Sequence, residues 1–365
     1  MRIVIFGLTV TSSWGNGHAT TWRALLAALE RAGHEATFFE RDVPYYAAAR
    51  DLPHPPFCSL ELYEDWAAVL PRALSAIREA DIAIVTSFCP DGVAAGDLVL
   101  ESAAGVKVFY DIDTPRTLED LADAGHASTT GARYVEARQI PGYDLYLSFT
   151  GGPTLRELER RWRARRAVAL YCSVDPALHR PVPPAESLRC ALGYLGTYSA
   201  DRQAALERLL LRPAERLPHE RFVVAGSSYP EDQAWPRNVA LRPHLPPAEH
   251  ASFYCANRVT LNVTRAAMAR VGYSPSVRLF EAAACGTPLL TDDWPGLADL
   301  FTHGAEILVA QTTEDALAAL GRSDEELRRI AAAARERVLT QHTADARARE
   351  LVAACGASTG AGLVA

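Results

Sequence analysis

The sequence contains no CxxC pair, no lysine-rich block and no apolar run long enough to span a membrane. Each absence removes a class of protein. Its seven cysteines (Cys58, Cys89, Cys172, Cys190, Cys255, Cys285 and Cys355) are odd in number and widely scattered. That pattern predicts reduced thiols in a cytoplasm rather than a disulfide framework or a zinc site. A formal net charge of -7 without a phosphate-neutralising stripe argues against a nucleic-acid partner. The opening MRIVIFGLTV is too short for an export signal or a membrane span and reads as a first buried strand. The expectation is a soluble, cytoplasmic chain. What is present is ample apolar material, 49% hydrophobic against 22% charged, in 365 residues. That is enough for two cores, and two domains is the natural count for this length.

Ile3 to Phe6 is a β-rich run that breaks into GLTVTSSWGNGH and then a helix with Trp22, Leu25, Leu26 and Leu29 at helical spacing. Gly33 closes that helix as a C-terminal cap would, and EATFFE follows as a second strand. Strand, glycine loop, helix, strand implies a parallel sheet covered by helices on both faces. Further strands are predicted at 81–87, 107–111, 144–149 and 167–172. SVDPALHRPVPPAES then reads as a linker. A second series follows at 190–196, 221–226, 238–243, 259–264, 287–292 and 306–310. Ser323 and Glu326 form a capping box for a helix to about residue 339, and another helical segment covers about 343–354. The predicted fold is α/β, with an N-terminal domain over 1–180, a C-terminal domain over 181–345, and a helix end and frayed tail over 346–365. The cleft between two such halves is the default ligand site.

The stretch GYSPSVRLFEAAACGTP, residues 272–288, has the pattern of a helix aimed at a phosphate. Ser274 can cap, Pro275 suits the first helical position, and the N–H groups of Ser276 and Val277 are then free. Such an end attracts phosphate through its N–H groups and positive dipole. Glu281, more than a turn deeper on the side of Val277 and Arg278, can accept hydrogen bonds from ribose hydroxyls. The alternative is an ordinary buried helix in which Glu281 pairs with Arg278.

SVRLFEAAACGTPLLTDDWPGLADLF resembles the donor-binding segment of group 1 glycosyltransferases of the GT-B fold. SWGNGHATTWRALLAALERAGHEATFFERDVPYY, FYDIDTPRTLEDL, YLSFTGGPTLREL, CSVDPALHRP, GYLGTYSADRQ and LNVTRAAMARVGYSPSVRLFE resemble its CgeB-like, spore-maturation-type branch. The resemblance covers about residues 1–345. It implies two Rossmann-like domains with parallel sheets, and a C-terminal helix crossing back to the N-terminal domain. It also implies a nucleoside diphosphate sugar bound by the C-terminal domain, an unidentified hydroxyl acceptor, and no cofactor or required metal. It favours ribose binding for Glu281. One departure stands out. Many such enzymes carry a second glutamate eight residues before the ribose one, where this chain has Tyr273. A tyrosine offers a hydroxyl to the transferred sugar but no negative charge, so their mechanism and stereochemistry are not inherited.

Other candidates surround this segment. Thr197 and Arg202 follow a predicted strand and can lie beside a diphosphate. Asn262 and Arg265 fall just past a strand's carboxyl end, the ligand side of such a sheet. Arginine pairs phosphate with charge-assisted, directional bonds. The alternative is that Arg202 is a solvated helix residue and Arg265 a surface ion-pair member. His244 lies in a loop whose backbone can meet the nucleobase. In the N-terminal domain Gly15 and Gly17 permit close backbone approach. His18 is a candidate general base because an imidazole titrates near neutrality, or else a phosphate-orienting or loop-satisfying residue. Asp111, Asp113 and Thr150 are acceptor-side candidates, with Asp113 also a candidate base, and DIDTP alternatively reads as a capping turn. The Asp-Ile-Asp spelling is shared with a metal-binding motif of a different fold, and the doubly wound pattern excludes that reading.

Overall fold

The computed structural model describes residues 1–14, 17–122 and 134–358; Gly15 and the last seven residues of the expected tail lie outside them. In the first unit the strands are β1 (Arg2–Gly7), β2 (Glu35–Arg41), β3 (Ser59–Tyr63), β4 (Ile82–Thr86), β5 (Val106–Asp111), β6 (Leu145–Ser148) and β7 (Ala167–Ala169). In the second they are β8 (Cys190–Leu195), β9 (Phe222–Ala225), β10 (Val239–Arg242), β11 (Asn257–Asn262), β12 (Leu289–Thr291) and β13 (Leu308–Val309). Strands β4 and β6 are buried at every residue, and so are β8 and β9. Apolar strands of that kind need helices on both faces, and every pairing between them is parallel.

The strand orders are β3-β2-β1-β4-β5-β6-β7 and β10-β9-β8-β11-β12-β13. Each sheet grows outward in both directions from its first strand. Its winding therefore reverses between β1 and β4, or between β8 and β11. In doubly wound sheets ligands bind beyond the carboxyl ends of the strands at such a reversal. The loops that matter are those after β1 and β4 in one unit and after β8 and β11 in the other.

Strand β3 is not among the strands predicted from the sequence. It is an edge strand, Ser-Leu-Glu-Leu-Tyr, in which only Tyr63 is buried, so it lacks the dense apolar run that marks the others. The first helix, Gly17–Arg31, buries Trp22, Leu25, Leu26 and Leu29, and Gly33 follows in the left-handed region at φ 79°. The Ser323–Glu326 capping box forms with both arms and starts a helix over Asp324–Gln341.

The chain divides into one unit of Met1–Tyr171 with Ala344–Ala365 and another of Cys172–Thr343. Residues 172–180 therefore fold with the second unit, tied there by a parallel bridge between Val174 and Thr343. The helix Ala344–Ser358 returns to the first unit. It packs on the Gly17–Arg31 helix, with Arg31 and Asp345 paired at 2.8 Å and Arg347 Nε donating to the Tyr171 carbonyl at 3.0 Å. All seven cysteines are unpaired, and no helix among the described residues is long and apolar enough to cross a membrane.

Candidate functional site

The helix expected from GYSPSVRLFEAAACGTP spans Val277–Ala284, starting later than its spacing predicts. Ser276 is the N-cap, its hydroxyl accepting from the Arg278 N–H at 3.4 Å. Ser274 and Pro275 precede the cap, and Ser274 is buried. The delay has a backbone cause. Gly272 and Tyr273 are both left-handed, at φ 72° and 51°. The turn they form docks on Pro295 and Gly296, with the Tyr273 N–H donating to the Pro295 carbonyl at 2.6 Å. A Cβ on Gly296 would lie 2.4 Å from the Tyr273 ring, so that position must be glycine. A left-handed tyrosine costs on the order of 1 kcal/mol or more and persists only where its surroundings hold it. Tyr273 is thus held directly ahead of the helix head.

Glu281 is buried in the middle of this helix, at 5% exposure. It has no ion pair with Arg278 among the described contacts. Its Oε2 accepts from the Tyr254 hydroxyl at 3.0 Å, and its Oε1 lies 3.7 Å from His179 Nε2. Burial by itself would raise the carboxyl pKa. The charges of His179, His250 and Arg278, with the Tyr254 hydrogen bond, outweigh it and hold the group below the usual value. A buried carboxylate kept ionised, with only a phenol donating to it, retains free acceptor capacity. His250 opens the helix His250–Ala256, and its Nε2 meets the Leu245 carbonyl at 3.2 Å. His179, His250 and Tyr254 were not among the sequence candidates. They arrive from separate segments, and only the CSVDPALHRP motif carries a local trace of one of them.

Around the loop after β8, Thr197 is exposed and its carbonyl accepts from Arg202 Nη1 at 3.3 Å, while Arg202 Nε is buried without a hydrogen bond among the described residues. The Tyr229 hydroxyl donates to the Gly196 carbonyl at 2.9 Å. Burial raises that phenol, and Arg202 and Arg278 both pull it down. Arg265 is exposed and stands 3.8 Å from Asp201, as a surface ion pair would. Asn262 is buried, its amide donating to Thr291 Oγ1 at 3.0 Å between β11 and β12, while its Oδ1 is buried without a hydrogen bond among the described residues. His244 is exposed in the loop after β10.

In the first unit the expected base is altered by its surroundings. His18 lies edge-on to Phe88 at 5.3 Å, and desolvation lowers its pKa to about 4. Burial thus works against an imidazole that titrates near neutrality and favours the neutral ring. Among the described residues outside its own helical turn, no atom lies within 4 Å of where a Cβ on Gly17 would be, so packing against them does not require glycine there. Asp113 is half-buried, and its carbonyl accepts from the N–H groups of Arg116 and Thr117, the capping-turn arrangement. Thr150 is fully buried, its N–H donating to Ser148 Oγ at 3.0 Å.

Asp111 is sealed from solvent and takes hydrogen bonds from Tyr146 at 2.6 Å and Thr117 at 2.8 Å. That places it inside the fold, not on an acceptor surface. Burial, only partly offset by those bonds, raises its pKa to about 6. Because the folded value lies above the unfolded one, its stabilising contribution is full below about pH 4 and is lost as pH rises through about 6. Denaturant titrations of the native chain and Asp111→Asn should therefore diverge with pH. The native chain should lose on the order of 2 kcal/mol relative to the variant between pH 4 and pH 7. A pH-independent difference would show that this carboxyl titrates normally.

Comparison with known proteins places this geometry. Residues 202–353 match the family model described as glycosyl transferase-like. No curated protein matches the chain in sequence. Among solved structures, an alpha-glucosyltransferase in complex with UDP-glucose and DNA containing an abasic site superposes with a TM-score of 0.72 at 14% identity, covering 97% of this chain and 99% of that one. Anabaena HepE, in complex with UDP and glucose, gives 0.69 at 11% identity over 98% and 100%. Sucrose-phosphate synthase of Thermosynechococcus elongatus gives 0.67 at 16% identity over 97% and 98%. Likeness at such low identity shows the fold: two parallel-sheet α/β units, as in GT-B glycosyltransferases.

Proposed function

We propose that this chain is a glycosyltransferase that moves a hexosyl unit from a nucleoside diphosphate sugar to a hydroxyl acceptor without a required metal. The observation that carries the reading is Glu281, a buried carboxylate held ionised one turn inside the Val277–Ala284 helix. Ribose hydroxyls are donors that such a carboxylate can accept, and the helix head is where the attached diphosphate finds N–H groups and a positive dipole. Val277 and Arg278 supply that head. Arg202, which donates to the Thr197 carbonyl in the loop after β8, is the candidate cation to stabilise the charge that grows as the diphosphate departs. Tyr273, locked ahead of the helix, offers its hydroxyl to the transferred sugar, while His18 and Asp113 are the first unit's candidates for the acceptor. With a pKa of about 4, His18 suits orientation better than proton abstraction.

Two of these solved neighbours contain UDP or UDP-glucose, so uridine diphosphate sugars come first in the donor panel. Incubation with donor and a range of hydroxyl acceptors, in the presence of a chelator, should release nucleoside diphosphate and form a new glycoside. Sugar conversion without net diphosphate release would replace this reading with a nucleotide-sugar epimerase. Nucleotide binding without turnover across the panel would make it a non-catalytic binder, the alternative that Tyr273 in place of an acid favours.

A further inference from the structure

His179 is an anomaly in an otherwise well-bonded neighbourhood. Its side chain is only 14% exposed, yet neither ring nitrogen makes a hydrogen bond among the described residues. Nδ1 is buried without a partner, and Nε2 faces Glu281 Oε1 at 3.7 Å, too far for a hydrogen bond. A buried polar group left in this state calls for an explanation, and an absent ligand is one of the few available.

The surroundings identify the kind of ligand. One nitrogen each from His179 and His250 and one oxygen of Glu281 lie within 4.8 Å of one another. Two ligands bound about 2.0–2.1 Å from a tetrahedral ion sit roughly 3.4 Å apart, close to the 3.7 Å seen between His179 and Glu281. Supporting bonds are already made. Because a carbonyl only accepts, the Leu245 contact fixes the proton of neutral His250 on Nε2 and leaves the Nδ1 lone pair for a cation. Tyr254 steadies the other carboxylate oxygen. We propose that His179, His250 and Glu281 form a three-ligand site for a divalent transition-metal ion of the zinc class. Two imidazoles and one carboxylate suit zinc, nickel or copper and do not suit the all-oxygen preferences of magnesium or calcium. Such an ion would occupy the carboxylate proposed above for ribose, so metal and nucleotide would exclude each other. Only this last consequence rests on the proposed function.

The test uses metal alone on the full chain. Zinc titrated against a chromophoric chelator should bind at one equivalent, and magnesium should not displace it. His179→Ala, His250→Gln and Glu281→Gln should each weaken binding by about a hundredfold or more, judged against the ten- to hundredfold effects of outer-shell changes alone. Cobalt substitution separates this site from the free thiols: nitrogen and oxygen ligation gives visible bands without thiolate charge transfer. Thermal melts confirm that each variant is folded, and three independent variants keep the result readable if one is not. Equal zinc affinity in folded variants, or a spectrum dominated by thiolate charge transfer, would overturn the assignment. Metal binding by protein that, once stripped of metal by a chelator, still transfers no sugar would sink the enzymatic reading while leaving this site standing.

Discussion

Replacing Glu281 by alanine is expected to weaken nucleotide binding by about a hundredfold or more while the chain remains folded. Hydrogen bonds to a charged acceptor contribute about 1.5–3 kcal/mol each, and a ribose offers two hydroxyls. Two such bonds correspond to at least two decades of affinity. The substitution also leaves the Tyr254 hydroxyl without its acceptor, so some loss of thermal stability should accompany it. Calorimetric titration of the native chain and variant with the nucleotide selected by the donor panel separates the two effects. Loss of affinity with a small shift in melting temperature supports the ribose assignment. Unchanged affinity would remove Glu281 from the donor site and leave it as a carboxylate held by Tyr254 and its neighbouring histidines. Glu281→Gln is the sharper control, because it preserves volume and one acceptor while removing the charge.

Much of the fold was legible because its strands are covered on both faces. Runs such as Ile82–Thr86 and Phe222–Ala225 need no alternation to be recognised, only density and flanking loops. Strand β3 escaped because an exposed edge relaxes that density. The helix head was legible in outline, but its register was not. The left-handed Gly272–Tyr273 turn is set by docking on Pro295–Gly296, a contact that local spacing does not encode. The environment of Glu281 was hidden for a related reason. Tyr254 reaches it from 27 residues away, and His179 from a segment that reads as linker. Arg265 is the converse case. A cation past a strand end reads equally as a phosphate ligand or as a surface ion-pair member, and only the structure supplies Asp201 at 3.8 Å.

Glu40 is where the largest loss of stability is expected, although its position at the charged end of EATFFE carries no special signal. It is 1% exposed, and its carboxylate accepts from Thr9 Oγ1 at 2.8 Å, Val10 N–H at 2.7 Å, Thr11 N–H at 3.1 Å and the Thr11 hydroxyl. These four bonds fold the loop after β1, at the point where the first sheet reverses. Arg23 reinforces it by donating to the Val10 carbonyl at 2.8 Å. Glu40→Ala would strand two backbone N–H groups and two hydroxyls in a buried place. At about 1–3 kcal/mol for each unsatisfied group, and with partial rescue by water, the cost should reach about 3–5 kcal/mol. Glu40→Gln should cost less, since one acceptor remains, but its amide N–H₂ must face donors. Denaturant unfolding of the three proteins tests this order. A loss below about 1 kcal/mol in Glu40→Ala would mean that water already satisfies the loop. The same loop leads into the helix that carries His18. A Glu40 variant that keeps nucleotide affinity but loses transfer would therefore tie this buried carboxylate to the acceptor side of the reaction, through the loop it holds.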